Sequence, residues 1–293
     1  MASVDRGRYG CLMAGEPVIA MKARELGRHS VVVGDRVALI GDLSGAPGTL
    51  ARIVRVRPRT SVLRRSADDT DPVERVIVAN AEQLVIVTAL ADPPPRVRLI
   101  DRFLVAAYDA GLDPVLCLTK ADLAPSDEVL ASYQPLGFPI VVTGRPLREE
   151  VLDDLRGRLS GRESVLVGHS GVGKSTLVNA LVPEAHRAVG VVNPVTGRGR
   201  HTSSSAVALP LPGEAGGWLV DTPGLRSFGL AHLSLDRVIS AFPDLAEGVA
   251  QCPPGCTHLE DDCGLAEWAA EHGATARLDS LRRLLRSREG ADA

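Results

Sequence analysis

Apolar residues gather in short runs along the middle of the chain, and polar segments separate the runs. Apolar runs of about four to eight residues are typical of buried strands, whereas apolar residues spaced three and four apart are typical of helices. On this pattern we predict strands at 84–88, 115–118, 164–167 and 218–221, and helices at 97–110 and 176–181. Strands that alternate with helices predict a parallel sheet of the α/β class.

The first 65 residues favour short strands that are separated by Gly, Asp and Pro turns, which predicts a small β-barrel. The β-type runs lie at 31–33, 37–40 and 50–56. Over 52–57 arginines alternate with apolar residues, so one face should enter the core while a basic edge faces outward. Such an edge favours phosphate backbones, although a merely solvated barrel face has the same pattern. Tyr9 is the sole aromatic residue of 1–65, so we do not expect bases to be read by stacking.

Near the C-terminus, leucines spaced three and four apart predict one buried helical face. These leucines are Leu278, Leu281, Leu284 and Leu285. The rest of the same helix is basic, with Arg277, Arg282, Arg283, Arg286 and Arg288. Contact with RNA and a solvated face are both compatible with this pattern.

Composition and charge limit the class of protein. The 293 residues are enough for two or three domains, and no run of about eighteen apolar residues predicts a membrane span. The N-terminus lacks the pattern of a secretion signal, so we expect a cytoplasmic protein that does not bind membranes. The net charge is −3, but 1–65 contain 12 Lys and Arg against 5 Asp and Glu, which leaves −10 for the remainder. The basic charge is therefore N-terminal, and the chain as a whole is not expected to bind DNA.

Residues 168–176, GHSGVGKST, match the phosphate-binding pattern Gly-x-x-x-x-Gly-Lys-Ser/Thr. The glycines let backbone N–H groups turn toward phosphate, Lys174 can reach the β and γ phosphates, and the Ser175 hydroxyl can bind Mg²⁺. A predicted strand before the loop and a predicted helix after it supply the context that the motif requires. The predicted phosphate-binding residues are Gly168, His169, Ser170, Gly171, Val172, Gly173, Lys174, Ser175 and Thr176.

A guanine-binding motif of the form Asn/Thr-Lys-x-Asp occupies 119–122, after a predicted strand. Asp122 can accept hydrogen bonds from the N1–H and 2-amino groups of guanine, a pair of donors that adenine lacks. We expect Lys120 to lie along the base and the loop, and Leu123 to belong to the nucleotide-binding residues. Thr119 replaces the more frequent asparagine and should forfeit the amide that ties this loop to the P-loop. A surface turn with a helix cap at Asp122 is the alternative interpretation.

The strand predicted at 218–221 leads into Asp-x-x-Gly. Asp221 can hold Mg²⁺ through water, and the Gly224 N–H can meet the γ phosphate. The polar segment 198–205 lies between the P-loop and this strand, and we interpret it as the first switch. The hydroxyl of Thr202 is predicted to complete the Mg²⁺ shell only while a γ phosphate is present, and the two serines after it are chemically able to replace it.

The order of these motifs along the chain is unusual. In most GTPases the P-loop comes first and the guanine motif last, but here the guanine motif precedes the P-loop by about fifty residues. Strands keep their places in a sheet when the old termini are joined and new termini are opened at the surface. The order therefore predicts a circularly permuted GTPase domain. Residues 141–144 are placed to form the second base-contacting loop, although they lack its usual Ser-Ala-Lys form.

Three of the five cysteines crowd together with a histidine within twelve residues. Their spacing, Cys-x₃-Cys-x-His-x₄-Cys, supplies four soft ligands for tetrahedral Zn²⁺ and indicates a reducing compartment. Free thiols are the alternative. We predict a closed structural site, in which Asp261 could replace one ligand. The predicted ligands are Cys252, Cys256, His258 and Cys263.

Taken in order, these motifs resemble the circularly permuted GTPases of the RsgA (YjeQ) type, and the resemblance covers nearly the whole chain. Besides the nucleotide motifs and the cysteine cluster, it is carried by the segments 34–37, 59–65, 79–85, 199–202 and 228–229. The resemblance implies an N-terminal OB-fold at 1–78, a permuted α/β P-loop GTPase domain at 79–230, and a mainly helical zinc-binding domain at 231–293.

The same resemblance implies a function. It implies GTP hydrolysis that is stimulated by the 30S ribosomal subunit, a role in late maturation of that subunit, contact with 16S rRNA, and a monomer. The cofactors implied are GTP or GDP, Mg²⁺ and Zn²⁺. His201 is implied to orient the attacking water, because Leu225 and Arg226 stand where Ras-type GTPases have glutamine. Arg200 or Arg226 could instead stabilise the developing charge.

Two other functions stay open at the level of sequence. A P-loop ATPase would require the guanine motif to be coincidental. A ribosome-binding nucleotide switch with negligible hydrolysis would keep the basic N-terminal part and the cysteine cluster. The presence of both Lys174 and Asp221 favours an active GTPase over a degenerate pocket.

Overall fold

A computed structural model describes residues 1–5, 7–27, 31–66, 73–183, 206–224, 228–242, 245–260 and 263–288. The strands in these ranges are β1 Ser3–Asp5, β2 Arg8–Met13, β3 Glu16–Lys22, β4 Val37–Gly41, β5 Ala51–Val56, β6 Val62–Arg65, β7 Arg75–Ala79, β8 Gln83–Ala89, β9 Asp113–Thr119, β10 Ile140–Val142, β11 Glu163–Gly168, β12 Val207–Pro210 and β13 Trp218–Asp221. The α-helices are α1 Val97–Asp109, α2 Asp127–Tyr133, α3 Glu149–Leu159, α4 Lys174–Leu181, α5 Leu235–Ser240, α6 Ala246–Val249, α7 Gly264–Glu271 and α8 Thr275–Arg288. Within the described ranges, no helix combines the length and apolarity needed to cross a membrane.

The central sheet is the α/β sheet that the hydrophobic pattern predicts. Its strands follow the order β10-β9-β8-β11-β13-β12, and every neighbouring pair is parallel except β12 with β13. All seven residues of β8 are buried, as expected for a central strand that is covered on both faces. The predicted strands and helices of this region are therefore confirmed.

Two apolar layers cover the sheet. On one face, helices α3 and α4 contribute Leu155, Leu159 and Leu177 to a core that includes Val85 and Leu166. On the other face, α1 and the C-terminal helices pack over alternate residues of the same strands. The second core also receives side chains from the β6–β7 hairpin, and β7 crosses the domain boundary predicted after residue 78.

The N-terminal strands continue this sheet in the order β1-β2-β3-β5-β4, because Ser3 of β1 pairs with Val207 of β12. They enclose a small core of their own, in which Tyr9, Val18 and Ile53 are buried. Five strands with turn-rich connections agree with the predicted short strands, and the barrel and the OB-fold stay predictions.

A strand over 31–33 was expected, and this expectation is wrong. Val33 makes a single bridge to Val78, and the chain then turns at Gly34, where φ is +87°. The Val32 N–H binds the side chain of Asp35 at 2.8 Å instead of a neighbouring strand. Glycine is required at this turn because a Cβ at residue 34 would lie 2.0 Å from the Ala79 carbonyl oxygen.

A buried carboxylate docks the C-terminal helix on the nucleotide domain. Asp101 of α1 is fully buried and accepts hydrogen bonds from the hydroxyls of Tyr133 and Ser280, each at 2.9 Å. Its second oxygen accepts from Nε of Arg283 at 2.7 Å. Burial and the adjacent carboxylate raise the pKa of Tyr133 above its usual range, so the phenol stays protonated and keeps its donor.

The expectation of a basic helical face is corrected by the side chains of α8. All four predicted leucines are buried. Arg277, however, is also buried: it donates to the Ala241 carbonyl at 3.2 Å and lies 4.2 Å above the Phe242 ring. Because Arg283 and Arg282 also bind groups within the chain, three of these five arginines join elements of the protein.

We predict that Asp101→Ala lowers the free energy of unfolding by about 3–5 kcal/mol, because it leaves a guanidinium and two hydroxyls without their shared acceptor. Urea unfolding measured by circular dichroism checks this value. Asp154→Ala is the matched control, since it removes an exposed pair with Arg158 at 3.0 Å and should change stability by about 0.5 kcal/mol or less. Equal effects of the two substitutions would contradict a docking role for Asp101.

Candidate nucleotide and metal sites

The predicted nucleotide motifs meet at the carboxyl edge of the parallel sheet. β11 ends at Gly168 and leads into the P-loop, β9 ends at Thr119 and leads into the guanine motif, and β13 ends at Asp221. The carboxyl ends of parallel strands lie on the same side of a sheet, which is where open α/β folds bind ligands. The permuted order along the chain therefore does not separate the motifs in space.

The P-loop has the backbone geometry that phosphate binding requires. Gly171 and Gly173 have φ angles of +82° and +89°, in the region that disfavours a side chain. A Cβ at Gly168 would lie 2.4 Å from the Val87 carbonyl oxygen, so this glycine lets the loop pass close to β8. Helix α4 begins at Lys174, within the P-loop motif, so its N-terminus favours a bound anion.

Lys174 and Asp221 are paired in this structure. The Nζ of Lys174 donates to Oδ1 of Asp221 at 2.7 Å and also contacts the Thr222 carbonyl. The lysine is 8% exposed, and the Thr222 hydroxyl donates to the Leu166 carbonyl at 2.6 Å. The arrangement places the phosphate-binding cation and the predicted Mg²⁺-binding carboxylate beside each other, next to the exposed Ser175.

The residues fit Mg²⁺ and a nucleoside polyphosphate. Ser175 and Asp221 offer the hard oxygen ligands that Mg²⁺ prefers, and they lie next to a loop that presents backbone N–H groups. Gly224 packs against this loop, since a Cβ there would lie 3.1 Å from both Cα and N of Ser170. Of the other predicted phosphate-binding residues, Thr176 is exposed and His169 is half-buried, with Nδ1 2.8 Å from the Ser170 carbonyl oxygen. The predicted switch residues His201 and Thr202 lie outside the described residues, as do Leu225 and Arg226.

The guanine motif is tied to the P-loop by a bond that we did not expect. The Thr119 hydroxyl donates to the Val172 carbonyl at 2.6 Å, so threonine keeps the connection that an asparagine amide would make. The expectation that this tie is lost is therefore wrong. Lys120 has a φ of +59°, and its Nζ contacts the Asp92 carbonyl in the loop that follows β8.

The carboxylate of Asp122 is held by the backbone of the next loop. Its Oδ1 accepts from the Arg145 N–H at 2.8 Å, and a Cβ at Gly144 would lie 2.9 Å from this same oxygen. The loop that follows β10 therefore supports the predicted base-binding residue, although the predicted base-contacting residues 141–144 lie partly in that strand. Leu123 is 59% exposed beside this site. Sequence reasoning missed Arg145 and Asp92 because both contribute backbone groups, which do not depend on side-chain identity.

The four predicted zinc ligands come together in the C-terminal part of the chain. Their ligand atoms all lie within 4.8 Å of one another. The Sγ of Cys263 is 3.5 Å from that of Cys252, 3.7 Å from that of Cys256 and 3.6 Å from Nδ1 of His258. A tetrahedron with the usual zinc bond lengths has edges of about 3.6–3.8 Å, so the residues fit Zn²⁺. Asp261, the predicted substitute ligand, lies outside the described residues.

Groups around the cluster hold its ligands in place. The His258 N–H points to Sγ of Cys256 at 3.4 Å, and the His258 backbone has a φ of +62°. Arg282 of α8 donates to the carbonyls of His258 and Glu260, both at 2.9 Å. Burial lowers the pKa of His258, which favours the neutral imidazole that binds a metal.

The comparisons with known proteins agree with this geometry. The sequence profile of the RsgA GTPase family matches residues 56–231. The small ribosomal subunit biogenesis GTPase RsgA of Pseudomonas aeruginosa (strain LESB58) is 39% identical over 273 residues, which cover 90% of this chain and 77% of that protein. RsgA 1 of Vibrio vulnificus (strain YJ016) is 35% identical over 270 residues, which cover 89% of this chain and 75% of that protein.

Solved structures show the same fold. The crystal structure of YjeQ from Thermotoga maritima aligns with a TM-score of 0.69 and 28% identity, covering 99% of this chain and 97% of that chain. YloQ, a circularly permuted GTPase, aligns with a TM-score of 0.68 at 22% identity, covering 100% and 95%, and it supports the fold alone. With the profile match and the identity to its relatives, the chain belongs to the RsgA family of GTP-hydrolysing, circularly permuted GTPases.

Proposed function

We propose that the chain binds the small (30S) ribosomal subunit and assists its late maturation, and that the subunit stimulates its hydrolysis of GTP. The observation that carries the proposal is the meeting of the P-loop, the guanine motif and Asp221 at one edge of the sheet. The partner is taken from the relatives, which are named for biogenesis of the small subunit and cover most of this chain. Membership of a GTPase family also favours GTP over the ATP that the sequence left open.

The roles of the nucleotide-binding residues follow from their positions. Lys174 exchanges its bond with Asp221 for the β and γ phosphates, and this exchange frees the carboxylate. Ser175, Thr202 and Asp221, the last through water, are proposed to hold Mg²⁺, which neutralises charge between the phosphates when it is bound. The Gly224 N–H is proposed to donate a hydrogen bond to the γ phosphate. Asp122 selects guanine through its N1–H and 2-amino groups.

The attacking water needs a residue other than the glutamine of Ras-type GTPases, because Leu225 and Arg226 follow Gly224. His201 is proposed to orient this water when the 30S subunit closes the segment 198–205. Arg200 and Arg226 are the alternatives for stabilising the charge that develops on the phosphates.

An N-terminal surface fits a phosphate backbone. Arg52 of β5 is exposed between Met21 of β3 and Ile40 of β4, which are its register partners. Arg55 and Arg57 are exposed farther along the same segment, so three cations follow one another at this surface. We propose that it contacts 16S rRNA, that the protein acts as a monomer in the cytoplasm, and that DNA is not its partner.

We predict that purified 30S subunits raise the rate of GTP hydrolysis by about tenfold or more. The reason is that the chemical step requires the segment 198–205 to close over the nucleotide. Phosphate release measured with 30S, with 50S and without subunits checks this expectation. Stimulation by 30S alone supports the proposal. GTP binding with no stimulation by 30S would contradict it and would favour a nucleotide switch with negligible hydrolysis.

His201→Ala should leave the Kd for GDP within about twofold but lower the stimulated rate by about a hundredfold, since a group that orients water acts on the chemical step. Nucleotide titration and the 30S-dependent assay measure the two quantities. His272→Ala, in the C-terminal part, is the control and should keep full stimulation. Undiminished stimulation in His201→Ala would exclude this histidine.

Arg52→Glu with Arg55→Glu should weaken 30S binding and lower the slope of log K against log salt by about two, because two phosphate contacts are lost. Sedimentation with 30S at several salt concentrations measures this slope. Arg148→Glu with Arg158→Glu makes the same charge change near α3 and should leave the slope unaltered. Equal losses in both double variants would mean that only total charge matters.

A further inference from the structure

The last residue of β9 joins the guanine motif to the P-loop through a single hydroxyl. Thr119 is 6% exposed, and its Oγ1 lies 2.6 Å from the Val172 carbonyl oxygen and 3.3 Å from that of Thr88. Both neighbours are carbonyl oxygens and only accept hydrogen bonds. The hydroxyl carries one proton, and the shorter distance assigns this proton to Val172.

This use of the proton limits what residue 119 can offer to a nucleotide. An asparagine amide has two N–H groups, so it can bind the P-loop carbonyl and still donate to a ligand, whereas a threonine hydroxyl cannot do both. Withdrawing the hydroxyl from Val172 would leave a buried carbonyl without this donor, which is unfavourable. Thr119 therefore has no donor left for the base.

Guanine presents groups of opposite kinds on two edges. Its N1–H and 2-amino groups are donors and suit the acceptor-only carboxylate of Asp122, whereas O6 and N7 are acceptors that need a donor. The neighbouring Ala121 N–H is used by the Thr143 carbonyl, and the Arg145 N–H is used by Asp122. These two N–H groups are therefore already used within the protein and are not available to O6 or N7.

We infer that Thr119 is a positioning residue that fixes the guanine motif against the P-loop, and that this chain selects guanine by its N1 and 2-amino groups without reading N7. The inference rests on the proposed binding of guanine nucleotides. In 7-deazaguanosine diphosphate (7-deaza-GDP), carbon replaces N7. Comparing its binding with that of GDP therefore shows whether the protein forms a hydrogen bond with N7.

Isothermal titration calorimetry with GDP and with 7-deaza-GDP, each with Mg²⁺, tests the inference on the full chain. The two Kd values should agree within about twofold, because no hydrogen bond distinguishes the nucleotides. A 7-deaza-GDP that binds about fivefold or more weakly would overturn the inference while leaving guanine binding established. Failure of GDP itself to bind would overturn the proposed function and this inference together.

Three substitutions sharpen the test. Thr119→Asn should keep the tie to Val172 and gain a preference of about fivefold for GDP over 7-deaza-GDP, because its second N–H is free for N7. Thr119→Val should weaken both nucleotides equally, by about tenfold, since it removes the tie and not a base contact. Thr119→Ser is the matched control and should resemble the unaltered chain.

The deciding quantity is the ratio of the Kd for 7-deaza-GDP to the Kd for GDP within each variant, so the result does not depend on the stability of one variant. If Thr119→Val weakened GDP but not 7-deaza-GDP, Thr119 would be reading N7 and the inference would be wrong. If Thr119→Asn bound the two nucleotides alike, residue 119 would lie out of reach of N7, and the donor argument would be overturned. The unaltered chain and Thr119→Asn suffice if the valine variant does not fold.

Discussion

The parallel register of four strands is the constraint on which the nucleotide site depends. Backbone pairing sets Ala89 beside Thr119, Val87 beside Gly168 and Leu166 beside Asp221, so the loops leave the sheet at nearly the same height. Strand pairing depends on hydrogen bonds between neighbours and not on which neighbour comes first in the chain. This explains why a permuted sequence can keep an unpermuted site.

Helix α1 connects the site to the rest of the molecule. Asp101 on this helix binds Arg283 of α8. The next two residues of the helix contact the segment that follows Asp-x-x-Gly. Arg102 donates to the Phe228 carbonyl at 3.0 Å, and Phe103 packs edge-on against the Phe228 ring with centroids 4.9 Å apart. The same segment pairs with the end of β6, since the Ser66 N–H donates to the Gly229 carbonyl at 3.0 Å. Parts of all three predicted domains thus contact either α1 or the segment at 228–229 that packs against it.

Sequence reasoning succeeded where a feature depends on local pattern. The buried runs around β8 and β11 specify strands, and the spacing from Cys252 to Cys263 specifies a metal cluster. It failed where the outcome depends on distant partners. Arg277 has the charge of a surface residue, but it is buried in this structure. Its guanidinium lies over the rings of Phe242 and Tyr108 and donates a hydrogen bond to a carbonyl at the end of α5. The tie from Thr119 to Val172 was missed for the same reason, since the two residues are 53 positions apart.

Two neighbouring arginines on α8 have a consequence for how the sequence can change over time. Arg282 binds the backbone carbonyls of His258 and Glu260 beside the predicted zinc ligands, and Arg283 binds Asp101 of the nucleotide domain. Successive residues of a helix point about 100° apart, so these two side chains reach different partners. Substitutions can be tolerated at the exposed positions of α8. A one-residue insertion between Arg282 and Arg283, however, would rotate one of these arginines away from its partner. Selection should therefore preserve the adjacency of Arg282 and Arg283 more strictly than the residues at the exposed positions of α8.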